Sequence, residues 1–521
     1  MAYYDYLTDS LVVLCISFGF YLLRSWSSGQ KQAYPLPPGP KGLPILGNYF
    51  DLIATRECKT LRDLRDTYGP IVHLKVFGRS YIYLNDYQTM VDLFEKRGNI
   101  YSSRPHLVMN DLQGWNEWFI TVLPYGPELR RCRQKLHSFL QQSIVPDYYP
   151  FQTQAACRLA EMLLRDPESF ADTVKYSAAD LIVRVTYGYE ANGINDPIVR
   201  IAEKGMEAFA DAQGFYLVNE LPWLQYLPSW LPGMGFLKTA EDGYNKSMDM
   251  YKTPYEKFKK NLEDGLGYSS FSARLLDSLR ETSGEVSQDD EEFTAKVTSI
   301  IYAGGADTTV SALLTFILAM VLNPEVQRRA QEELDNVIGR NSLPTFADLP
   351  KLKYVDAIRK ECLRWQSIVT TPAPHIVTRD DEINGYFIPA NSIIMGNIWA
   401  ILQDPVEYPD PGKFIPERFI PEEGKKSPLN PGKIVFSVGR RICPGKHFAE
   451  NSIFIDIATL LATCNIERAI DNQGNPIIPD AEYTKQFIRH PIPFKCSITP
   501  RNSDSLKLIR QTIDAGISSE N

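Results

Sequence analysis

Of the eight cysteines in the chain, one sits in a setting made for reactivity. Cys443 stands in FSVGRRICPG (Phe436 to Gly445), behind Arg440 and Arg441 and ahead of Pro444 and Gly445. The residues that follow, KHFAENSIFIDIATLLATC, read as an amphipathic to apolar helix with proline near its start. A thiol at a helix N-terminus beside two arginines is where a thiolate is electrostatically favoured. A thiolate can ligate iron. The glycines let the backbone turn tightly and bring N–H groups near the sulfur. Met alone, the same loop equally describes a buried structural cysteine before a helix.

Two further segments carry chemistry. GGADTT (Gly304 to Thr309) lies inside an apolar pattern that predicts one helix from about Phe293 to Leu322. A glycine in a helix interior costs about 1 kcal/mol relative to alanine, so something should use the room. A small ligand or flat cofactor against the helix would do so, and so would close helix packing. Asp307 and Thr308 put an acid and a hydroxyl beside that gap, a pair suited to delivering protons. KECLRW places Glu361 and Arg364 three residues apart on one helix face, where they can pair. FIPERF supplies a further arginine, Arg418, between apolar anchors. Surface ion pairing explains most such pairs, and their order along the chain is the informative feature.

Positioning these groups takes a large fold. The chain has 521 residues and is 44% apolar, enough for a sizeable core. Its length alone suggests about three domains, whereas the pattern supports one large, mostly helical domain over residues 34–502. Lys plus Arg number 55 against 63 Asp plus Glu, for a net charge of −8. With no long basic run, this argues against nucleic acid as a partner. The cysteines form no CxxC pair and no zinc-like Cys/His spacing, which fits a reduced, cytosol-facing compartment. LVVLCISFGFYLL (Leu11 to Leu23) is uncharged, preceded by Asp5 and Asp9 and followed by Arg24 and Lys31. Residues 1–33 are therefore expected to be an uncleaved membrane anchor and linker with the basic flank cytoplasmic; a cleaved signal and a buried helix are the alternatives. YPLPPGPKGLPILGN (Tyr34 to Asn48) predicts a stiff extended hinge. Strands are expected near Ser80, in Gly385 to Ala400, and in FIRHPIPFKCSIT near the end. Residues 503–521 read as a polar, disordered tail. GxGxxG, HExxH and GxSxG are all absent, and Gly439 to Lys446 fails as a phosphate loop, so dinucleotide, zinc-protease and hydrolase functions have no support.

In order and spacing these elements resemble the cytochrome P-450 superfamily of microsomal type. The family's haem-loop pattern FxxGxRxCxG is matched by Phe436, Gly439, Arg441, Cys443 and Gly445, and its oxygen-helix pattern by Gly304, Gly305, Asp307 and Thr308. Its ExxR pair falls on Glu361 and Arg364, and its PERF element on Pro416 to Phe419. The resemblance spans nearly the whole chain. It implies a mainly α fold with small β-sheets behind an N-terminal transmembrane helix. It implies haem b with Cys443 as iron ligand, Phe436, Gly304 and Gly305 against the cofactor, and propionate contacts from Arg441, Arg104, Arg133 and His375. Asp307 and Thr308 would deliver protons, while Glu361, Arg364 and Arg418 would be structural. One departure is Leu129, where the family usually has a tryptophan that donates an N–H to a propionate.

The activity implied is insertion of one oxygen atom from O2 into a lipophilic small molecule. NADPH and flavins would act only through a partner NADPH-cytochrome P-450 reductase, docking on a basic patch of Lys135, Arg440 and Lys446, with cytochrome b5 as a second electron donor. The implied location is the endoplasmic reticulum membrane, single-pass, with the catalytic domain facing the cytosol. The pocket should draw on Tyr101 to Leu123, Phe209 to Leu217, the residues before GGADTT, Ser367 to Pro374, and Phe487. EKRGNIYSSRP, NIWAILQDPVEYPDP and CNIERAIDNQG resemble members from mushroom-forming (basidiomycete) fungi, often tied to secondary metabolism. A terpenoid is the first substrate expectation and an indole or aromatic compound the second. A haem-thiolate isomerase or dehydratase that works without reductase, or a ligand-binding protein, forms the different class.

Overall fold

A computed structural model describes residues 34–520, so the anchor expected in residues 1–33 lies outside the described residues. The proline-rich segment after Tyr34 cannot form helix because its prolines lack N–H donors. Its carbonyls instead pair with the sheet edge: His73 N–H donates to Pro38 O and Phe387 N–H to Pro35 O, both at 2.8 Å.

Alternation of β-branched and aromatic residues makes strands β1 (Ile71–Val76) and β2 (Arg79–Leu84), an antiparallel hairpin. The chain returns to them much later with β3 (His375–Ile376), β4 (Asp381–Ile383), β5 (Tyr386–Ile388) and β6 (Ile393–Gly396). The main sheet has the order β1-β2-β6-β3, with β6 parallel to β2. Strands β4 with β5, and β7 (Cys464–Arg468) with β8 (Cys496–Pro500), form two small antiparallel two-stranded sheets. The strand-like stretch Gly385 to Ala400 thus splits in two and passes into helix at Ile398. In FIRHPIPFKCSIT only the last part is strand, because Pro491 and Pro493 remove ladder donors.

The rest is mainly helical. The elements that matter for the site are α1 (Pro127–Leu140), α2 (Tyr149–Arg165), α3 (Phe170–Tyr187), α4 (Pro197–Ala212), α5 (Gln288–Ala306), α6 (Thr308–Leu322), α7 (Lys353–Trp365) and α8 (Lys446–Thr463). The single helix expected from Phe293 to Leu322 is two helices. Asp307, at φ −123° and ψ −34°, breaks the ladder between α5 and α6. Two glycines supply little restraint before the break, and the Thr308 hydroxyl competes for backbone by donating to Gly304 O at 2.9 Å. The combined run Gln288–Leu322 is long and apolar enough to cross a membrane, yet 72% of its apolar window is buried, so it is a core element. It passes between two hydrophobic clusters, one built on α1, α3 and α5 and the other on α2, α6, α7 and α8.

The disordered tail is also corrected. Ser505–Glu520 form helix α9, which buries Ile509 completely against the second cluster and ties Arg510 Nε to Glu161 Oε1 on α2 at 2.9 Å. The apolar residues Leu508, Ile509 and Ile513 carry the spacing of one helix face, diluted by polar neighbours.

Candidate active site

The cysteine loop is built by backbone constraint. Gly439 has φ +70°, and a Cβ there would lie 2.0 Å from Phe94 O, so only glycine is accommodated. The chain turns through Gly439–Arg441, and Cys443 N–H closes the loop on Phe436 O at 2.9 Å. From there α8 sends Gly445, Phe448, Ala449, Ser452 and Asp456 along one face into a cavity of about 320 Å³. The same cavity is lined by Cys443, Phe436, Arg104, Arg133, Arg441, Gly304, Gly305 and Thr308. Eight of the predicted residues therefore converge, drawn from segments spread over more than 330 positions.

Three guanidiniums share that space, and among the described residues none meets a carboxylate. Arg441 donates to the carbonyls of Ser102, Ile120 and Leu123, Arg104 to those of Thr121, Ala373 and Pro374, and Arg133 to Ile442 O. Burial lowers the proton affinity of all three; repulsion from neighbouring arginines adds to it for Arg441, pulled down to about 9, and for Arg104, well below its usual range, whereas Cys443 counters it for Arg133. Beside them His375 stacks on Phe94 at 4.0 Å and holds Tyr101 O at Nδ1, while its Nε2 is buried without a partner among the described residues. Burial, with Arg104 and Arg441, pushes its proton affinity far down. A cluster of unbalanced cations plus an orphaned imidazole nitrogen is the complement of a ligand with two carboxylates, and a cysteine opens on the same cavity. The residues fit a haem held by its propionates and its iron. Leu129, buried in the wall on α1, adds apolar contact and no N–H donor.

The electrostatics of Cys443 differ from expectation. Desolvation at the foot of the cavity raises its pKa although the residue is open to that cavity, and the groups that favour thiolate are the Gly445 N–H, Arg133 and Lys446. Arg440 takes no part: it lies over the Tyr125 ring at 5.2 Å and donates to its hydroxyl. Arg441 is turned to the carbonyls named above. A metal that binds the sulfur must therefore displace its proton, which coordination does readily.

The glycines of α5 divide the two roles left open for them. A Cβ on Gly304 would meet open space, whereas one on Gly305 would lie 2.6 Å from Ile182 on α3. Gly304 leaves room in the cavity and Gly305 allows helix contact. Asp307 is not brought to the cysteine. Its carboxylate faces a neighbouring cavity of about 440 Å³ and meets His490 Nε2 at 3.2 Å, with Lys175, Arg200 and Glu203 in the same walls. His490 was missed; nothing in IRHPIP distinguishes it by spacing.

Glu361 and Arg364 pair face to face at 2.7 and 2.8 Å with no exposure, and Glu361 Oε1 also accepts from Ile415 N–H and from Arg418 Nε at 3.3 Å. This buried knot fastens α7 to the PERF turn, away from the cavity.

The far wall of the cysteine cavity comes from Phe119, Ile120, Thr121, Ile300, Ile301, Val369, Pro372, Ala373 and Phe487, matching four of the five expected segments. The fifth, Phe209 to Leu217, lines a separate cavity of about 270 Å³ that shares Pro372 and Phe487 with the first. Phe209 itself packs edge-on against Phe119 and Phe487.

The Cytochrome P450 family description matches residues 37–498. Among curated proteins, the chain is 37% identical to the cytochrome P450 monooxygenase claR of Ampulloclitocybe clavipes, over 94% of this chain and 90% of that one. It is 36% identical to cytochrome P450 monooxygenase 208 of Postia placenta, over 96% and 97%. It is 37% identical to a tryptamine 4-monooxygenase of Psilocybe cyanescens, over 91% and 94%. With the cysteine loop, the cation cluster and the broken glycine helix in place, the chain belongs to the cytochrome P450 family, among its fungal monooxygenases.

Proposed function

We propose that the protein hydroxylates a lipophilic small molecule in fungal secondary metabolism, with electrons from a separate NADPH-dependent reductase. The observation that carries this is one apolar cavity that joins Cys443 to Thr308 beneath a wall of Ile300, Ile301, Val369 and two phenylalanines. Haem, when bound there, supplies the oxygen-activating chemistry. Cys443 provides the sulfur ligand, and Arg104, Arg133, Arg441 and His375 hold the carboxylates. Thr308 offers a hydroxyl at the cavity edge. On the other side of the same helix break, Asp307 and His490 end a charged cavity, and this pair passes protons toward the Thr308 side. Lys446 with His137, His447 and Arg133 lines an opening beside Cys443, a basic face suited to an acidic electron donor.

The aliphatic wall favours a terpenoid. An indole or other aromatic amine is the second reading, supported by the tryptamine-hydroxylating relative and by Glu207, Asp211 and Glu220 in the cavity that adjoins Phe487. Trp223, Tyr226 and Trp230 are 57%, 81% and 78% exposed, and Leu43, Ile45 and Phe50 are exposed too, near the point where the described chain begins. They support seating of these two segments in the endoplasmic reticulum membrane.

The test is turnover by the full chain with reductase, NADPH and ¹⁸O2 on terpenoids and tryptamine. One ¹⁸O per product is expected. Thr308→Ala should retain haem but divert most NADPH into peroxide. Product formation that needs no NADPH and is indifferent to Thr308→Ala would instead identify a rearranging enzyme.

A further inference from the structure

We propose that Asp456 is a charge-setting residue beside the haem: its carboxyl takes up a proton when the cofactor gains an electron, and so tunes the reduction potential. The proposal rests on the haem site of the family and not on any substrate.

Asp456 lies on the cavity face of α8, one turn beyond Ser452, and is 6% exposed. Among the described residues it makes no hydrogen bond and no ion pair, although the arginines of the same cavity are also without carboxylate partners. Buried acids are ordinarily paired. This one is left with only the cavity before it. Around it the packed helices offer little charge. On α2, Gln152 donates to Ser452 Oγ and Phe448 O, and its own Oε1 has no partner among the described residues. Also on α2, burial and Asp456 push the Cys157 thiol up to about 12, so it stays neutral. Helix α3 presents Ala178 and Leu181 to this cavity, and α6 presents Thr309 and Leu313. On α7, Arg359 is paired with Asp356 and with Glu450 of α8. The titratable groups sharing the cavity are Arg104, Arg133, Arg441 and Cys443. Burial alone pushes Asp456 up to about 8.

The helix rise places Asp456 roughly 15 Å along α8 from Lys446. Because side chains lean toward the N-terminus, a carboxylate there is on the order of 12 Å from a metal on Cys443. An added electron at that distance repels the carboxylate and favours its protonated form. Each electron delivered by the reductase is then accompanied, within the titration window of the carboxyl, by uptake of up to about half a proton from solvent onto an Asp456 oxygen, as a tenfold coupling allows. No other bond forms or breaks. The expected coupling is about tenfold in the reduction equilibrium at an effective dielectric near 20.

The experiment is potentiometry of the full-length haem protein from pH 6 to 10. In the native chain the midpoint should fall as pH rises through the window and level off above it, a total change of about tenfold in the equilibrium constant. Asp456→Asn keeps the shape and removes the charge. Its potential should hold the acid-limb value throughout, while the carbon monoxide spectrum of the reduced protein shows the cysteine ligand intact. A native profile without a step, or a step that survives in Asp456→Asn, overturns the proposal. Reduced-minus-oxidised infrared spectra of the native protein, which need no variant, should show a protonated-carboxyl band gained near the midpoint of the step. Its absence would equally sink the idea.

Discussion

Glu361 gathers three donors on a single oxygen. Its Oε1 takes a bond from Arg364, one from the Ile415 N–H and an ion pair from Arg418, with the carboxylate fully buried. Two guanidiniums against one carboxylate are tolerable because Arg364 also donates to Leu402 O and Lys413 O, and Arg418 to Pro409 O. Glu361→Gln leaves both cations buried and unneutralised, which costs about 3–5 kcal/mol. The denaturation midpoint should drop sharply and the yield of haem-loaded protein with it; a native midpoint would mean that the backbone carbonyls alone hold the arginines. The ExxR spacing made the pair legible. That Arg418 shares the same carboxylate was visible only in three dimensions.

At the scale of the element, the α5 to α6 break does two jobs with adjacent residues. Gly304 opens space on the cysteine side, Gly305 lets α3 approach, and Asp307 turns to the opposite cavity. Gly305→Ala should cost about 1–3 kcal/mol from overpacking against Ile182. Gly304→Ala meets no atom, so it should gain up to about 1 kcal/mol of helix propensity while shrinking the site. Thermal midpoints that move in opposite directions, with weakened substrate binding for Gly304→Ala, are the expected pair of results. Midpoints falling alike in both would show that the break, and not the local space, needs glycine. Helix periodicity revealed the element but smoothed over the break, since a single irregular residue barely disturbs an apolar average.

The whole molecule is acidic, yet its apolar and basic surface groups are grouped. The aromatic side chains of residues 223–230 stand out from a polar surface, and the Cys443 opening carries Lys446, His137, His447 and Arg133. Large exposed aromatics in one segment point to an interface that is part apolar and part wet. In bilayers with brominated acyl chains, tryptophan emission of the full chain should be quenched. The Trp223→Phe, Trp230→Phe double variant should lose all quenching beyond that of Trp26 in the predicted anchor. Equal quenching in both proteins would place this face in water.

What the sequence determined by itself is the chemistry that depends on residue type at short spacing. Cys443 before a helix, Arg441 two residues earlier, Gly439 in a tight turn, and Glu361 three residues from Arg364 are local requirements, so they appear as local patterns. Tertiary structure decided the rest. It laid Arg440 over Tyr125, turned Asp307 toward His490, paired one glycine with empty space and the other with Ile182, and folded Ser505–Glu520 as a helix on α2. It also left Asp456 unpaired beside the haem cavity. Each of these depends on which distant surface arrives opposite a side chain, and burial sets charge and conformation only once the helices have packed.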